Sequence, residues 1–482
     1  MRRYRRRNTE LRGKSADEFA SSIRDRMGNP PDLAFRYLTL GQSPGVLVYI
    51  RGLADTTLLS ETVLETLARD PVWTNENRIT GVPVSSIRLR TRMDEAVDDL
   101  LGGRSILFRD GDGGCLALDT FKPKTRDVQE PNVETVVRGP RESFVENIGD
   151  NVALVRLGLK SPALRVRELS IGEFAGTTVN VLYVDGLAMP SIIQEVLAKL
   201  DAEGIKRLAG HGTIARRLQA SPYTLFPTTM VTERPDRVVA GLLEGRVAVF
   251  TDRTPFCVMV PSVFVEHLQS PEDYYENPVL QSILRTVRYL MLHLSVLGPA
   301  LYVALSTFHQ EMIPTPLLVS LINQREVVPF PAVLEALIMG FVFEGLREAG
   351  GRLPRPMGQA VSIVGGIVLG QAAITAGIVS AAMIIVVGLT AIASFTVPSL
   401  SLNAPQLILR LVFLLGAGVF GLYGAIIIYL FVLGHLLSVR SFGIPYLFPL
   451  APTFRAGIAD TFVVTLPEAQ APDHRLTRGE PR

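Results

Sequence analysis

Apolar residues are arranged along this chain in two regimes. Through the first half and somewhat beyond, they alternate with polar residues or recur at helical spacing; after that they run together. From Pro356 to Leu409 there is no Asp, Glu, Lys or Arg, in a sequence that is 20% charged. Hydrocarbon cannot solvate ions, so a charge-free stretch of that length predicts membrane helix folded back on itself at least once.

Within the apolar half, Tyr289 to Phe308 has the length of one span and is introduced by Arg285 and Arg288. Ala332 to Leu346 is a shorter helical pattern carrying Glu335 and Glu344. Gln359 to Ala376 and Ala381 to Val397 read as a tight helical hairpin. Gln406 to Leu437 is longer than one span needs, so it is expected to tilt or to project from the bilayer. Pro398, Pro405, Pro445 and Pro449 mark breaks. The total is about 4–5 spans; the two counts place the tail with Arg455, Arg475, Arg478 and Arg482 on opposite sides of the membrane. Arg347, Arg352 and Arg355 cluster after the short helix.

The polar half repeats itself. Val48-Tyr49-Ile50-Arg51-Gly52-Leu53-Ala54 recurs as Leu182-Tyr183-Val184-Asp185-Gly186-Leu187-Ala188, each a β-rich run followed by a helical pattern. Leu100-Leu101-Gly102-Gly103-Arg104 before a strand recurs as Leu242-Leu243-Glu244-Gly245-Arg246, and Cys115 corresponds to Cys257. The fold class expected is therefore α/β, with tandem duplicated soluble domains followed by an α-helical integral membrane domain. The expected divisions are a basic disordered tail at 1–35, α/β domains at 36–150 and 151–275, a transmembrane domain at 276–450 and a polar tail at 451–482.

Charge and candidate chemistry narrow the function. The formal net charge of +2 gives no bulk attraction to nucleic acid. Arg2, Arg3, Arg5, Arg6 and Arg7 crowd the N-terminus, either to meet anionic lipid headgroups or as a solvated arm. No apolar run follows them before Ala34, so no export signal is expected and the soluble part is assigned to the cytoplasmic side. Asp110-Gly111-Asp112-Gly113-Gly114 imitates the front of a calcium loop, but lacks the later bidentate Glu, and its repeat reads Asp252-Arg253-Thr254-Pro255; a hairpin turn is expected. Gly210-His211-Gly212 lacks the Lys and hydroxyl of a phosphate cradle. The two cysteines fall in apolar strands, where a thiol is a small buried hydrophobe. No catalytic set, metal set or cofactor motif remains, and a non-enzyme is expected.

Glu335 and Glu344 are the costly residues, because an ionised carboxylate in apolar surroundings is penalised by several kcal/mol. They line a cation path, pair with Arg347, or belong to an interfacial helix with both carboxylates wet. The small residues Gly365, Gly366, Gly370, Ala372, Ala373, Ala376 and Gly377, and Gly416, Gly418, Gly421 and Gly424, serve close helix packing, inside one subunit or around a pore.

Val137-Arg138-Gly139-Pro140-Arg141-Glu142-Ser143-Phe144, Thr232-Glu233-Arg234-Pro235-Asp236 and Ser270-Pro271-Glu272-Asp273-Tyr274-Tyr275 resemble motifs of the A-subunit family of bacterial spore germinant receptors, the GerA family. Phe343-Glu344, Leu346-Arg347-Glu348-Ala349-Gly350, Ser362-Ile363-Val364-Gly365-Gly366 and Arg440-Ser441-Phe442-Gly443-Ile444-Pro445-Tyr446 continue the resemblance through the apolar half. Gly340 stands where members often carry Glu, and Ala381 where they carry Pro. The resemblance implies a germination role at the inner spore membrane, with the soluble part facing the core. It also implies a B-subunit of amino-acid-transporter type that senses nutrient, a C-subunit lipoprotein, and a homo-oligomer acting as a nutrient-gated cation channel. The alternatives are a non-conducting scaffold, or a late-sporulation paralogue that amplifies germination.

Overall fold

The structure is a computed structural model. It describes residues 10–40, 42–69, 72–73, 79–80, 82, 84–122, 131, 134, 136, 138–201, 210–221, 223–352, 365–453 and 460–464. The arginines at 2–7, the start of the Gln359 helix, Arg355 and the arginines of the C-terminal tail lie outside these residues. The chain divides into two units, one built from residues up to 222 with 229–261, the other from 223–228 with 262–470.

The first unit contains two five-stranded antiparallel sheets of the same construction. In chain order the first repeat is α1 (Ala16–Met27), β1 (Leu33–Leu40), β2 (Ser43–Ile50), a π-helical turn running into α2 (Leu64–Arg69), the short hairpin β3 (Val72–Trp73) and β4 (Ile79–Thr80), β5 (Ile87–Arg90), α3 (Met93–Leu101), β6 (Ser105–Arg109) and β7 (Cys115–Leu118). Its strands lie in the order β1-β2-β6-β7-β5. The second repeat is α4 (Ile148–Gly158), β8 (Leu164–Ile171), β9 (Thr177–Val184), α5 (Pro190–Asp201), α6 (His211–Leu218), β10 (Met230–Thr232), α7 (Pro235–Leu243), β11 (Val247–Thr251) and β12 (Cys257–Val260). Its order, β8-β9-β11-β12-β10, is the same order strand for strand. Each sheet buries a face of Val, Leu, Ile and Phe under its helices, from Val46, Val48, Ile106 and Phe108 in the first to Leu182, Val184, Ala248 and Phe250 in the second.

The tail expected at 1–35 is not a tail throughout. Residues 16–27 form α1, opened by a Ser15/Glu18 capping box and closed by Gly28 in the left-handed region. Phe19 stacks on Phe108 at 4.4 Å, so this helix belongs to the first core. The apolar positions Phe19, Ile23 and Met27 carry the signal, beneath a surface dense in charge.

The turn chemistry also repeats. Asp110-Gly111-Asp112 forms the β6–β7 hairpin, where Asp110 accepts from the Ala16 backbone N–H at the start of α1 and Asp112 pairs with Arg109. Gly111 has φ +84°, and its counterpart Arg253 has φ +63°. An L-residue there costs about 1–2 kcal/mol that glycine avoids. Arg253→Gly is therefore expected to stabilise the protein by about 1 kcal/mol, read as a raised unfolding midpoint, and Gly111→Arg to do the reverse. Unchanged midpoints in both variants would refute this account. Cys115 and Cys257 are both buried, and burial pushes the Cys115 thiol up to about 12 and Cys257 well above its ordinary value.

The second unit is a bundle of apolar helices. Two helices among the described residues are long and apolar enough to cross a membrane: α8 (Pro278–Thr307), and a stretch over Leu400–Ser438 that contains the 36-residue helix from Asn403 to Ser438. Between them lie α9 (Thr315–Arg325), α10 (Ala332–Arg352), α11 (Gly370–Thr375) and α12 (Ala381–Phe395); the Asn403–Ser438 helix is α13. The short helix expected at Ala332–Leu346 continues for another turn and a half, so Arg347 and Arg352 lie within it.

The last long helix is not the single tilted span expected. Gly421 has φ +60° and ψ −141°, which breaks the helical path. A Cβ on Gly424 would collide with the Gly416 carbonyl, although eight residues of straight helix would separate those positions by about 12 Å. The chain therefore doubles back at Gly421 into two antiparallel arms, 403–420 and 422–438, each about 26 Å long. Phe413 and Ala417 of one arm and Ala425 of the other pack with Val296, Ala300 and Ala304 of α8. Leu402 and Leu436 meet at the opposite end, against Tyr289.

The legs run alternately between the two ends of this unit. The first turn of α10 packs on Val303 near the end of α8, whereas Phe343, further along, meets Phe395 at the end of α12. In α12, Met383 and Val387 share the Val303 cluster, and Ser399, just after the helix, reaches His267 before α8. Asp460 bonds to Tyr274 and Arg285 at that same starting end. Both ends of the bundle sequence thus lie together.

Candidate functional site

Two charge clusters stand inside the apolar bundle, the first centred on a buried carboxylate and the second on a half-buried one. In the first, Glu335 on α10 is fully buried, and its Oε2 accepts from the backbone N–H and the hydroxyl of Ser380, both at 3.0 Å. Ser380 is also the N-cap of α12, its hydroxyl accepting from Met383 N–H, so the carboxylate is tied to a helix start. Arg325, at the last turn of α9, brings its Nε to 3.6 Å from Glu335 Oε1.

The second cluster centres on Glu344. Arg347, one turn later on α10, pairs with Oε2 at 2.6 Å, and Arg410, on the first arm of α13, reaches Oε1 at 3.2 Å. Arg410 is 8% exposed, and its Nε donates to the Ser295 carbonyl of α8 at 2.9 Å. The Ser295 hydroxyl donates to its own helix and to Gln406, one turn before Arg410. One carboxylate shared by two guanidiniums thus ties α10 to α13, and through a carbonyl to α8.

The structure brings Glu344 and Arg347 together as the i, i+3 spacing predicts, and puts Glu335 in a different cluster with a partner of its own. Arg325 and Arg410 are the residues that sequence reasoning passes over. Arg410 had a usable signal: it is a lone arginine inside a long apolar run, the most expensive residue such a helix can hold. Arg325 had none, because it follows Asn323 and Gln324 at the end of the short apolar run 317–322, where a charge reads as a helix end meeting water.

A third cluster stands where α8 begins. Asp273 is fully buried and receives Nε of Arg285 at 3.1 Å and the Arg288 guanidinium at 2.9 Å. Arg285, also fully buried, donates to the backbone carbonyl of Asp460 at 2.6 Å and to its carboxylate at 3.2 Å. Two arginines and two aspartates cancel only while the segment at Asp460 is docked.

In the first unit, a cleft of about 420 Å³ lies between the two repeats, lined among others by Asp32, Arg51, Lys122, Asn147, Glu168 and Asn180. Arg156, fully buried in α4, crosses between the repeats to grip Asp32 with two hydrogen bonds. Lys122 bonds Asp55 at 2.7 Å and holds that carboxyl below its ordinary value. Asn180 is 5% exposed, and among the described residues its Oδ1 has no hydrogen-bond partner. No cluster of metal-ligating side chains occurs among the described residues.

The family model of the Bacillus/Clostridium GerA spore germination protein matches residues 21–472. The chain belongs to the GerA family. Spore germination protein KA of Bacillus subtilis (strain 168) is 39% identical to this GerA-family chain over 448 residues, 91% of this chain and 82% of that protein. Spore germination protein B1 of the same organism is 37% identical over 466 residues, covering 95% and 96%. The crystal structure of the N-terminal domain of the A subunit of the Bacillus megaterium spore germinant receptor GerK3 aligns at 25% identity with a TM-score of 0.41, covering 54% of this chain and 99% of that one. The family expected from the motifs is therefore the family found.

Proposed function

We propose that this chain is the A-type membrane subunit of a spore germinant receptor, and that copies of it assemble around a cation path opened by nutrient binding. The observation that carries the reading is the pair of carboxylates, Glu335 and Glu344, each held against arginine inside an apolar bundle. Ionisable residues are expensive in that setting and mark ion pathways or elements with two states. Close helix contacts at glycine support packing among many legs.

The bundle would cross the inner spore membrane an even number of times. Among the described residues, α8, α10, α12 and the two arms of α13 supply five legs; the even count is supported by Asp460, after the last leg, bonding to Tyr274 and Arg285 where the first leg begins. An even count returns the C-terminal tail to the side of the soluble unit, taken as the core side, and disfavours five spans. The soluble domains would extend over 36–150, enlarged to include α1, and 151–275, with the membrane domain at 276–450. The partners would be a B-subunit of amino-acid-transporter type, which binds the nutrient, and a C-subunit lipoprotein. Binding there shifts a closed–open equilibrium only through contacts that differ between the two states.

The test is ion flux from liposomes holding the protein with its B and C partners. Nutrient-dependent cation release that disappears when this subunit is omitted is the expected result. A correctly assembled complex that stays impermeable to the nutrient that germinates the parent spores would refute the channel. A second reading, favoured by the side-chain Oδ1 of Asn180, which has no hydrogen-bond partner among the described residues, is that the first unit takes a small polar molecule in this cleft. Asn180→Leu should then abolish its calorimetric binding while leaving the fold intact.

A further inference from the structure

The two oxygens of Glu335 are treated very differently. Oε2 is saturated by the Ser380 N–H and hydroxyl. Oε1 is buried and, among the described residues, accepts no hydrogen bond. Arg325 stands 3.6 Å from it, close enough for Coulomb attraction but beyond hydrogen-bond contact. A guanidinium free to optimise a carboxylate contact closes to about 2.8 Å, often through two nitrogens. Here it does not close.

The partners also differ in what holds them. Glu335 is fully buried and fixed to the N-cap of α12. Arg325 is 25% exposed and ends α9, a helix with no buried residue at all. Its neighbour Gln324 accepts from the backbone N–H of Ala382 at 3.2 Å, and its other bond goes to Ser320 of its own helix. Arg325 can therefore withdraw into solvent, and Glu335 cannot follow. Withdrawal leaves an uncompensated buried anion, which is far costlier than the pair. The hydroxyl of Tyr302 is buried next to Ser380, the residue that holds Glu335, and feels the charges of both Glu335 and Arg325.

We infer that Glu335 Oε1 and the Tyr302 hydroxyl form a binding site for a monovalent metal cation, which Arg325 occupies as a tethered substitute. The inference rests on the cation-path reading and gives that path a site and a plug. One carboxylate calls for one positive charge; a divalent ion would leave an excess charge as costly as the one removed. Oxygen donors alone, one anionic and one neutral, suit an alkali cation. The guanidinium and the free cation exclude each other, so release of α9 and filling of the site are one event.

The test uses the full-length protein in detergent and dicyclohexylcarbodiimide, which adds to protonated carboxyl groups in apolar surroundings, with modification of Glu335 read by peptide mass spectrometry. Potassium chloride is compared with N-methyl-D-glucamine chloride at equal ionic strength, the organic cation being too large for the site. In wild type, labelling is expected to be slow in both salts. In Arg325→Gln it should be fast in the organic salt, and slower by about fivefold once potassium stands at roughly four times its dissociation constant. Arg325→Lys, which restores a tethered charge, should return labelling to the wild-type rate, and Tyr302→Phe on the Arg325→Gln background should weaken the protection. Labelling of Arg325→Gln that is no faster than wild type, or that ignores potassium, overturns the site. A complex that conducts while potassium gives no protection would remove the site and keep the channel; protection without flux would do the opposite.

Discussion

Replacing Glu344 by Gln is expected to cost about 3–5 kcal/mol of stability, while removing Arg410 costs distinctly less. The asymmetry follows from how the charges are shared. Arg410 is 8% exposed, with Glu344 as its charged partner and the Ser295 carbonyl as its other contact. Glu344 also has Arg347 at 2.6 Å. Loss of the carboxylate strands a buried guanidinium, whereas loss of Arg410 leaves the carboxylate paired. The double variant Glu344→Gln, Arg410→Met removes the stranded charge and is expected to recover most of the loss. The measurement is unfolding of the purified full-length protein in detergent, for wild type, both single variants and the double. A Glu344→Gln protein within about 0.5 kcal/mol of wild type would contradict this account. So would strictly additive losses in the double variant.

Replacing Asp273 by Asn should be of similar size, about 3–5 kcal/mol. Asp273 neutralises Arg285 and Arg288 together and is itself fully buried. Asn keeps the side-chain acceptor that serves the Ser270 N–H and takes away the charge, so the substitution isolates electrostatics from the local turn. The same change at Asp460, a quarter exposed and bonded to Arg285 alone of the two arginines, should cost less because water can reach the stranded charge. Limited proteolysis supplies a second readout: Asp460→Asn should release the segment around residue 460 to cleavage while the bundle stays folded. Equal losses for the two aspartates would show that burial does not decide the size of the effect.

The duplication of the soluble half was legible because its signals are local. Gly52 and Gly186, and Gly103 and Gly245, fall at the same turns with positive φ in both repeats. A turn that demands glycine writes itself into the sequence twice, and strand order follows from the elements between the turns. The reversal at Gly421 was not legible. Gly416, Gly418, Gly421 and Gly424 lie in one apolar run, and glycine there reads equally as a packing surface or as a break. The non-helical backbone at Gly421, and the collision a Cβ on Gly424 would meet at Gly416, separate the two readings. The candidate site was half legible. Glu335, Glu344 and Arg347 stand out as charges among apolar neighbours, and the pairing one turn apart is a matter of spacing. Arg410 stands out as well, as a lone charge in a long apolar run, but what it pairs with does not. Its partner is 66 residues earlier, and no local pattern joins them.

The clasp between Arg285 and Asp460 joins residues 175 positions apart. Arg285 leaves the ribosome with the first apolar helix, and the aspartate that completes its charge balance is made 175 residues later. At about 5–20 residues per second the interval is roughly ten to thirty seconds. Throughout it the nascent chain carries a mismatch that later helices do not relieve. A chain cut short before residue 460 keeps that mismatch for good, and so differs chemically from the finished one at the point where its first apolar helix begins.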